Sequence, residues 1–271
     1  MDEGEFQRYA AYVTQHFGIQ LPPEKKALLE ARLYKLFNSD EGTEFRDAKS
    51  FYEYLQQDQS GRAKAILADA ITTNHTFFMR ETDHFSYFAE QVLPYWAERI
   101  RDGDVRTWCA ACSSGEEAYT LAMILQDYFS LRGPHWETTL LATDLSEEIL
   151  ARAREGIYAR ESVQSMPPQW QTIYFKALDA HQLRIIEPLR RKVIFRQFNL
   201  MNPVFPFKRP FHTIFCRNVM IYFDAATRSR LVRKFYDFLE PGGFLFVGHS
   251  EVVERQAAPF DYVMPSVYQR R

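Results

Sequence analysis

Residues 107–123, TWCAACSSGEEAYTLAM, carry the clearest signal of the fold class. An apolar run ends in small residues, turns at Gly115 and enters a helical pattern. In a Rossmann-like sheet, the first strand-to-helix turn points its backbone N–H groups at a bound cofactor, and small side chains let that cofactor come close. The stretch therefore predicts the first βα unit of a parallel sheet, with a ligand site at its turn.

The residues at this turn argue against a dinucleotide. One glycine stands where the dinucleotide fingerprint needs three. Glu116 and Glu117 occupy the place where a pyrophosphate would bind, and two carboxylates would repel it. They could attract a cation, such as the amino group or sulfonium of S-adenosylmethionine. They could equally be acidic residues that favour a helix N-terminus, and the residues alone leave both interpretations open.

Further strands and helices alternate after this unit. The patterns predict helices at 116–129, 146–154 and 225–239, and strands at 105–110, 138–143, 193–198, 212–216 and 244–248. Such alternation favours βαβ units in a parallel sheet covered on both faces. Between residues 166 and 199, short apolar segments separated by polar turns predict a small antiparallel β insertion.

The first 80 residues carry only helical patterns, such as the apolar stripe that ends at Gly18. We therefore predict an all-α N-terminal domain at 1–80. It is followed by a Rossmann-like α/β domain at 81–271, with the β insertion at about 166–199.

Composition excludes several classes of protein. A net charge of −2 gives no global attraction to nucleic acid or to an anionic membrane. Three cysteines in 271 residues argue against a disulfide framework, and neither a signal core nor a membrane-spanning run is evident. We expect a cytoplasmic protein without direct membrane insertion. Cys109 and Cys112 lack a second pair, and the histidines are scattered, so no metal site is expected.

Three other segments place polar residues where ligands bind in such sheets. Asp144 ends the second predicted strand, where an acidic residue can bond ribose hydroxyls or simply serve the next helix start. Arg217 and Asn218 end a buried strand, and Tyr222 follows as either a site residue or a core aromatic. Residues 72–85, TTNHTFFMRETDHF, lie at the domain junction, a common place for a site.

With LEPGGFLFVGHSE at 239–251, these segments resemble, in order, the chemotaxis receptor glutamate methyltransferases of the CheR family. The family's Thr-Asn-x-Thr-x-Phe-Phe-Arg-Glu is similar to residues 73–81, with Met79 in place of the second phenylalanine. Its Cys-Ser-Thr-Gly-Glu-Glu-Pro-Tyr-Ser is similar to residues 112–120, which lack the proline. Its Arg-Asn-Val-Met-Ile-Tyr-Phe is intact at 217–223.

The resemblance implies an enzyme that transfers a methyl group from S-adenosylmethionine to glutamate side chains of a chemoreceptor, leaving S-adenosylhomocysteine. It implies that the β insertion docks on receptors. It places Arg80 and Tyr222 near the methyl transfer. The cofactor-binding residues that it implies are Asn74, Thr76, Arg80, Glu117, Asp144, Asn199, Leu200, Arg217 and Asn218.

A mechanism without a general base is expected, because a glutamate with a pKa of about 4.3 is already ionised at neutral pH. Arg80 could hold a carboxylate, and Tyr222 could position the methyl group or the nucleophile. On the second helix Lys25, Arg32 and Lys35 share a face that could meet an acidic helical substrate or could simply be solvated. We expect a monomer.

Two other functions agree less well with the sequence. A nucleic-acid methyltransferase would need a basic surface for phosphates, and DNA amino-methyltransferases usually carry Asp/Asn-Pro-Pro-Tyr where this chain has Arg-Asn-Val-Met, residues 217–220. The stronger rival is a non-catalytic module that binds S-adenosylmethionine or a receptor without turnover.

Overall fold

The computed structural model describes residues 1–39 and 44–271. Its N-terminal part consists of helices α1 (Glu3–Phe17), α2 (Lys26–Phe37), α3 (Ala48–Gln57) and α4 (Arg62–Ile71). Asp2 starts α1 with a capping box, and Gly18 ends it at a left-handed φ of 73° that glycine adopts without strain. The apolar stripes of these helices share one buried cluster, which confirms the predicted helical N-terminal part.

Short helical segments then lead into the sheet: α5 (Thr82–Tyr87), a π-helical turn (Phe88–Val92) and α6 (Leu93–Ala97). The three follow one another without a break from 82 to 97, and the sequence does not predict them, because the π turn interrupts the regular helical period. The later helices are α7 (Glu116–Ser130), α8 (Glu147–Glu155), α9 (Pro168–Tyr174), α10 (Glu187–Arg190) and α11 (Ala225–Asp237).

Ten strands lie in the described part of the chain. They are β1 (Thr107–Ala110), β2 (Leu140–Asp144), β3 (Ile157–Ala159), β4 (Phe175–Ala177), β5 (Gln182–Ile185), β6 (Val193–Gln197), β7 (Phe211–Cys216), β8 (Leu239–Val247), β9 (Phe260–Met264) and β10 (Val267–Arg270). The five predicted strands correspond to β1, β2, β6, β7 and β8.

The main sheet has seven strands in the order β6-β2-β1-β7-β8-β10-β9. The strands from β6 to β8 are parallel, and β10 and β9 add an antiparallel edge. The chain runs outward from β1 to β2 and β6, and then returns to the other side of β1 for β7 and β8. This reversal makes a topological switch point between β1 and β7, where open α/β sheets bind their ligands.

A separate antiparallel sheet has the order β3-β5-β4. Its strands β4 and β5 fall within the insertion predicted at about 166–199, but β3 precedes that range. β6 lies within the range and pairs with β2 in the main sheet instead. The first strand, Ile157–Ala159, is only three residues long, so the sequence carries no alternation that could reveal it.

Aromatic packing fixes the loop that follows β6. The ring of Trp108 on β1 is fully buried, and its Nε1 donates to Thr143 Oγ1 at 2.9 Å. Five phenylalanine rings surround it at centroid distances of 4.8–5.9 Å, and they belong to Phe198, Phe205, Phe207, Phe211 and Phe235. This packing holds the segment after β6 against one face of the central strands.

The N-terminal part of the chain attaches to the main sheet near the carboxyl end of β7. Gln20 N–H donates to the carbonyl of Tyr222 at 2.8 Å, and Ile19 forms a β-bridge with Phe223. In the described residues, every helix is too short or too polar to cross a membrane.

Candidate active site

A cavity of about 1120 Å³, its open mouth included, lies at the carboxyl ends of β1, β2, β6 and β7. Both parts of the chain form its walls, because residues from α2 and from the segment after α4 face the strand ends. All ten residues predicted for the site line this one cavity: Asn74, Thr76, Arg80, Glu117, Asp144, Asn199, Leu200, Arg217, Asn218 and Tyr222.

The turn after β1 is held in an unusual backbone conformation. Ala111, Ser113 and Gly115 have positive φ values of 71°, 50° and 96°. The N–H groups of Ala111 and Cys112 both donate to the carbonyl of Thr143 at 2.8 Å, which ties the turn to β2. At Gly115 a Cβ would lie 3.0 Å from both Ala153 Cβ and the hydroxyl of Tyr158, so this turn needs glycine for its φ and for the close packing.

Asp144 serves the turn and the next helix at once. One carboxylate oxygen accepts the Ser113 N–H at 2.8 Å, and the other accepts the Ser146 N–H at 3.1 Å. Burial raises the pKa of Asp144, and these backbone hydrogen bonds oppose the rise. The two interpretations of this residue are therefore compatible, because the carboxylate orders the start of α8 and also lines the cavity.

The two glutamates after Gly115 differ in position. Glu116 is buried outside the cavity and accepts from the Ser114 hydroxyl at 2.6 Å. Glu117 lines the cavity, accepts from Cys109 Sγ at 3.2 Å and lies 3.3 Å from Arg217 Nη1. Burial raises the pKa of Glu117, with the charge of Arg217 opposing the rise. Of this pair, Glu117 is the residue that a cationic ligand could meet.

Arg217 is a fully buried cation between two carboxylates. Its side chain has no exposed surface, and its Nη2 lies 3.1 Å from Glu81 Oε2 while Nη1 faces Glu117. Nη2 also donates to the carbonyl of Arg80. The guanidinium thus joins the end of β7 to the start of α7 and to the segment before α5, and its own charge is already compensated.

Asn218 follows Arg217 in the loop after β7 and adopts a left-handed φ of 59°, which asparagine tolerates better than most residues. Its side-chain amide donates to Glu81 Oε1 at 3.1 Å, and its backbone N–H donates to Glu251 Oε2 at 2.9 Å. Glu251 also accepts the N–H groups of Gly248 and Ile221. This buried carboxylate therefore joins the loop after β8 to the loop that carries Tyr222.

Gly248 packs so closely on Asn218 that a side chain cannot fit. A Cβ at this position would lie 2.4 Å from Asn218 Nδ2 and 2.9 Å from its backbone N. We expect Gly248→Ala to lower the free energy of unfolding by about 1–3 kcal/mol, the usual cost of overpacking, and to weaken cofactor binding at least severalfold. Denaturant melts and a calorimetric titration with S-adenosylhomocysteine measure the two effects.

Gly4→Ala on α1 is the matched control, because its Cβ would meet only Asp2 Oδ1 at 3.4 Å. This change should leave stability the same or slightly higher, since alanine favours helix. Equal behaviour of the two variants would contradict the steric role given to Gly248.

Arg80 reaches the cavity from the segment between α4 and α5. Its guanidinium donates to the carbonyl of His75 at 3.0 Å and lies 5.8 Å from the ring centroid of Phe77. Within residues 1–39 and 44–271, no carboxylate lies within ion-pair distance of it. In the same segment, the carbonyl of Asn74 accepts from the Ser113 hydroxyl at 3.1 Å, which fastens the segment to the turn after β1.

Tyr222 stands where the two parts of the chain meet. It ends a short 3-10 turn, Met220–Tyr222, and Lys25 Nζ lies 5.4 Å from its ring centroid. Lys25 and Arg32 both line the cavity. The sequence predicts both on the second helix, but Lys25 ends a 3-10 turn just before α2 and only Arg32 lies on that helix. Arg32 is half-buried, donates to the carbonyl of Ile71 and to Thr73 Oγ1, and has its pKa lowered by burial.

Asn199 uses its side chain within the protein. Its Nδ2 donates to the carbonyl of His16 at 2.7 Å, and its Oδ1 accepts the Met201 N–H at 2.9 Å. Leu200 beside it is buried in the cavity wall. The sequence missed Glu81 and Glu251 as organisers of the site, although both stand within the quoted motifs at 73–81 and 239–251.

Two family models match consecutive parts of the chain. The CheR methyltransferase all-alpha domain matches residues 4–72, and the CheR methyltransferase SAM binding domain matches residues 74–268. With the sheet topology and the cavity at the switch point, these matches define an S-adenosylmethionine-dependent methyltransferase.

Full-length relatives give the narrower assignment. The chemotaxis protein methyltransferase of Borreliella burgdorferi is 38% identical over 272 residues, which cover 98% of this chain and 94% of the relative. Those of Escherichia coli and Salmonella typhimurium are 35% and 32% identical and cover 93% and 99% of this chain, and 85% and 90% of their own lengths. The chain belongs to the CheR methyltransferase family.

Proposed function

We propose that this chain methylates glutamate side chains of a chemoreceptor and thereby takes part in chemotactic adaptation. Family membership and the names of the relatives support the class of substrate. The observation that carries the chemistry is charge: Arg80, Lys25 and Arg32 line the cavity, and in the described residues none of them has a carboxylate partner. A cavity with such cations can receive the cofactor's carboxylate and a glutamate carboxylate together.

The residues divide into those that face a ligand and those that hold the walls. We assign Asp144 to the cofactor's ribose hydroxyls and Arg80 to a carboxylate. We assign Glu117 to the positively charged part of the cofactor. The remaining contacts with the cofactor are assigned to Asn74, Thr76 and Leu200. Three cavity residues already bind other protein groups through their side chains: Arg217, Asn218 and Asn199. We therefore infer that they act mainly by holding the cavity walls in position.

The mechanism rests on orientation and on removal of water. When bound, S-adenosylmethionine supplies a methyl group on a positively charged sulfonium, and that methyl group passes to a carboxylate oxygen as its bond to sulfur breaks. The protein needs no general base, because a glutamate with a pKa of about 4.3 arrives ionised. Arg80 would hold and orient a carboxylate, and the Tyr222 hydroxyl would position the nucleophile in a partly closed cavity.

We propose that the acidic substrate meets three basic residues, Lys25 just before α2 and Arg32 and Lys35 within it, but the three contribute unequally. Lys25 and Arg32 line the cavity, whereas Lys35 is exposed away from it. We expect Lys25→Glu to raise the Michaelis constant for the receptor about tenfold, which corresponds to about 1.4 kcal/mol, and to weaken the salt dependence of activity. Steady-state kinetics at two ionic strengths measure both effects.

Lys35→Glu is the matched control for that experiment, since it makes the same charge change within α2 but away from the cavity. We expect it to change the Michaelis constant by less than about twofold, as isolated exposed charges usually contribute little. Equal Michaelis constants for Lys25→Glu and Lys35→Glu would contradict the proposed role of Lys25 in receptor binding.

We also propose the domain division predicted from the sequence, with an all-α domain at 1–80 and the methyltransferase domain at 81–271. The β3-β5-β4 sheet is proposed as a receptor-docking element. A monomeric cytoplasmic enzyme that binds no nucleic acid is in keeping with the net charge of −2. A non-catalytic module is not favoured, because the full-length relatives are named as methyltransferases.

Mass spectrometry tests this proposal at the level of the modified atom. The purified chain is incubated with S-adenosylmethionine and chemoreceptor-containing membranes, and receptor peptides are then sequenced by fragmentation. We expect single methyl additions on glutamate side chains, absent when those glutamates are replaced by alanine. Methyl groups on lysine, arginine or nucleic acid would contradict the proposal.

A further inference from the structure

Three potential metal-binding side chains meet beside the cavity. Glu81 and His84 stand three residues apart at the start of α5, and His249 follows β8. One ligand atom from each of the three lies within 4.8 Å of the others. His84 is fully buried, and His249 has a side chain that is 46% exposed. The sequence predicts no metal site, because the cysteines lack a second pair and the histidines are scattered along the chain.

One nitrogen of each imidazole ring already has an oxygen partner outside this three-residue cluster. His84 Nε2 lies 3.4 Å from the carbonyl of Pro265, and His249 Nε2 lies 3.2 Å from Asp83 Oδ2. Donation from each Nε2–H to these oxygens fixes the tautomer in which Nδ1 carries the lone pair. Metal-ligating histidines almost always make such a bond from the other ring nitrogen to a carboxylate or a backbone carbonyl.

The buried ring nitrogen is the second indication of a ligand. Among the residues that the structure describes, His84 Nδ1 has no hydrogen-bond partner; the atom has no solvent exposure and lies 3.5 Å from Glu81 Oε2. Buried polar atoms are nearly always hydrogen-bonded, so an unpartnered imidazole nitrogen beside a carboxylate calls for an explanation.

We propose that Glu81, His84 and His249 form a binding site for a divalent transition-metal ion such as Zn²⁺ or Ni²⁺; the site is empty. Two imidazole nitrogens and one carboxylate oxygen form a ligand set typical of Zn²⁺, with metal–ligand distances of about 2.0–2.2 Å. The ligand atoms need to move closer together, and the half-exposed ring of His249 has the freedom to do so. Mg²⁺ and Ca²⁺ are not expected to bind, because they prefer oxygen ligands.

Metal binding would compete with the walls of the cofactor cavity for one carboxylate. Glu81 Oε2 pairs with Arg217 at 3.1 Å, and Glu81 Oε1 accepts from Asn218 at 3.1 Å. Both of these partners line the cavity. A metal ion that draws the carboxylate toward His84 weakens both contacts, so an occupied site lowers cofactor affinity. The site is therefore inhibitory.

Direct titration tests the site without reference to activity. Tag-free, metal-stripped full-length protein is titrated with Zn²⁺ and separately with Mg²⁺, as wild type, as His249→Ala and as His181→Ala. His181 is an exposed histidine in the turn between β4 and β5. We expect one equivalent of Zn²⁺ to bind wild type and His181→Ala, with at least tenfold weaker binding to His249→Ala and no Mg²⁺ binding. Equal Zn²⁺ affinity in all three proteins, or no saturable binding to wild type, would overturn the proposal.

A second titration tests the link to the cavity. S-adenosylhomocysteine affinity is measured with and without Zn²⁺ in wild type and in His249→Ala, after circular dichroism melts have shown that both are folded. We expect Zn²⁺ to weaken S-adenosylhomocysteine binding severalfold in wild type and to leave His249→Ala unaffected. An equal Zn²⁺ effect in both proteins would show that the metal acts elsewhere and would contradict the link.

Discussion

Replacing Arg80 by alanine should abolish methyl transfer and leave the fold intact. Arg80 reaches the cavity without a carboxylate partner in the described residues, and its side chain makes only a backbone hydrogen bond to His75 and a contact with the Phe77 ring. Its charge is therefore free to orient a carboxylate. Loss of one such charged contact at a reacting centre costs about 10²–10³ in turnover, and we expect a loss at the upper end of that range.

Arg132→Ala is the matched control for this change. Arg132 also combines a hydrogen bond to a backbone carbonyl with a contact to an aromatic ring, in both cases through Tyr128, but it lies at the far end of α7 and does not line the cavity. Turnover and the melting temperature are measured for both variants. Near-normal turnover in Arg80→Ala, or an equal loss in Arg132→Ala, would contradict the role given to Arg80.

Replacing Arg217 by methionine should give the largest loss of stability of any single change at the site. The side chain of Arg217 is fully buried between Glu81 and Glu117, and its removal leaves two buried carboxylates without a cation. Breaking a buried pair by removing one partner typically costs about 3–5 kcal/mol. Urea denaturation at neutral pH should show a loss of at least that size.

Arg209→Met is the control, because Arg209 also pairs with two carboxylates, Asp102 and Asp104, but its side chain is 53% exposed. Exposed pairs contribute about 0–1 kcal/mol, so the loss should be no larger than that. Equal losses in the two variants would contradict the importance of burial at Arg217.

The stability difference between wild type and Arg217→Met should shrink as pH falls. In wild type, burial tends to raise the pKa of Glu81, but Asn218 and Arg217 outweigh it and hold that pKa below its usual value. A lowered carboxylate pKa contributes stability above the unfolded pKa of about 4.3, and that contribution is lost as pH falls. In the variant, both buried carboxylates have raised pKa values, which destabilise the fold at neutral pH and less so toward acid.

Denaturation curves at several pH values between neutral and about 5 measure this trend. A stability difference that stayed constant over the range would mean that the carboxylates are not the origin of the loss.

The sequence predicts the central half of the fold well because the signals there are local. The pattern in residues 107–123 predicts a strand, a glycine-containing turn and a helix, and these are β1, the turn at Gly115 and the first half of α7. Carboxyl ends of parallel strands share one edge of a sheet, so polar residues such as Asp144 and Arg217 at strand ends could be placed together from the strand pattern alone. The resemblance to a known family added Asn74, Thr76 and Arg80, which no periodicity indicates.

The parts that the sequence does not predict depend on contacts between distant segments. Glu251 joins two loops 30 residues apart through hydrogen bonds to backbone N–H groups, which leave no pattern in the sequence. Lys25 and Arg32 look like solvated charges on a helix face until the helix docks at Tyr222. The antiparallel strands β9 and β10 are short, and neither alternates buried with exposed side chains, so the pattern that marks a strand is weak in them.

The most direct test of the central claim is the chemical stability of the transferred methyl group. The protein is incubated with S-adenosylmethionine labelled on its methyl group and with chemoreceptor-containing membranes, and the labelled receptor is then treated with mild alkali. A carboxyl methyl ester hydrolyses and releases the label as methanol, and this is the result that we expect, with no release from membranes incubated with Arg80→Ala. Receptor label that resists alkali would show a different acceptor group and would contradict the account.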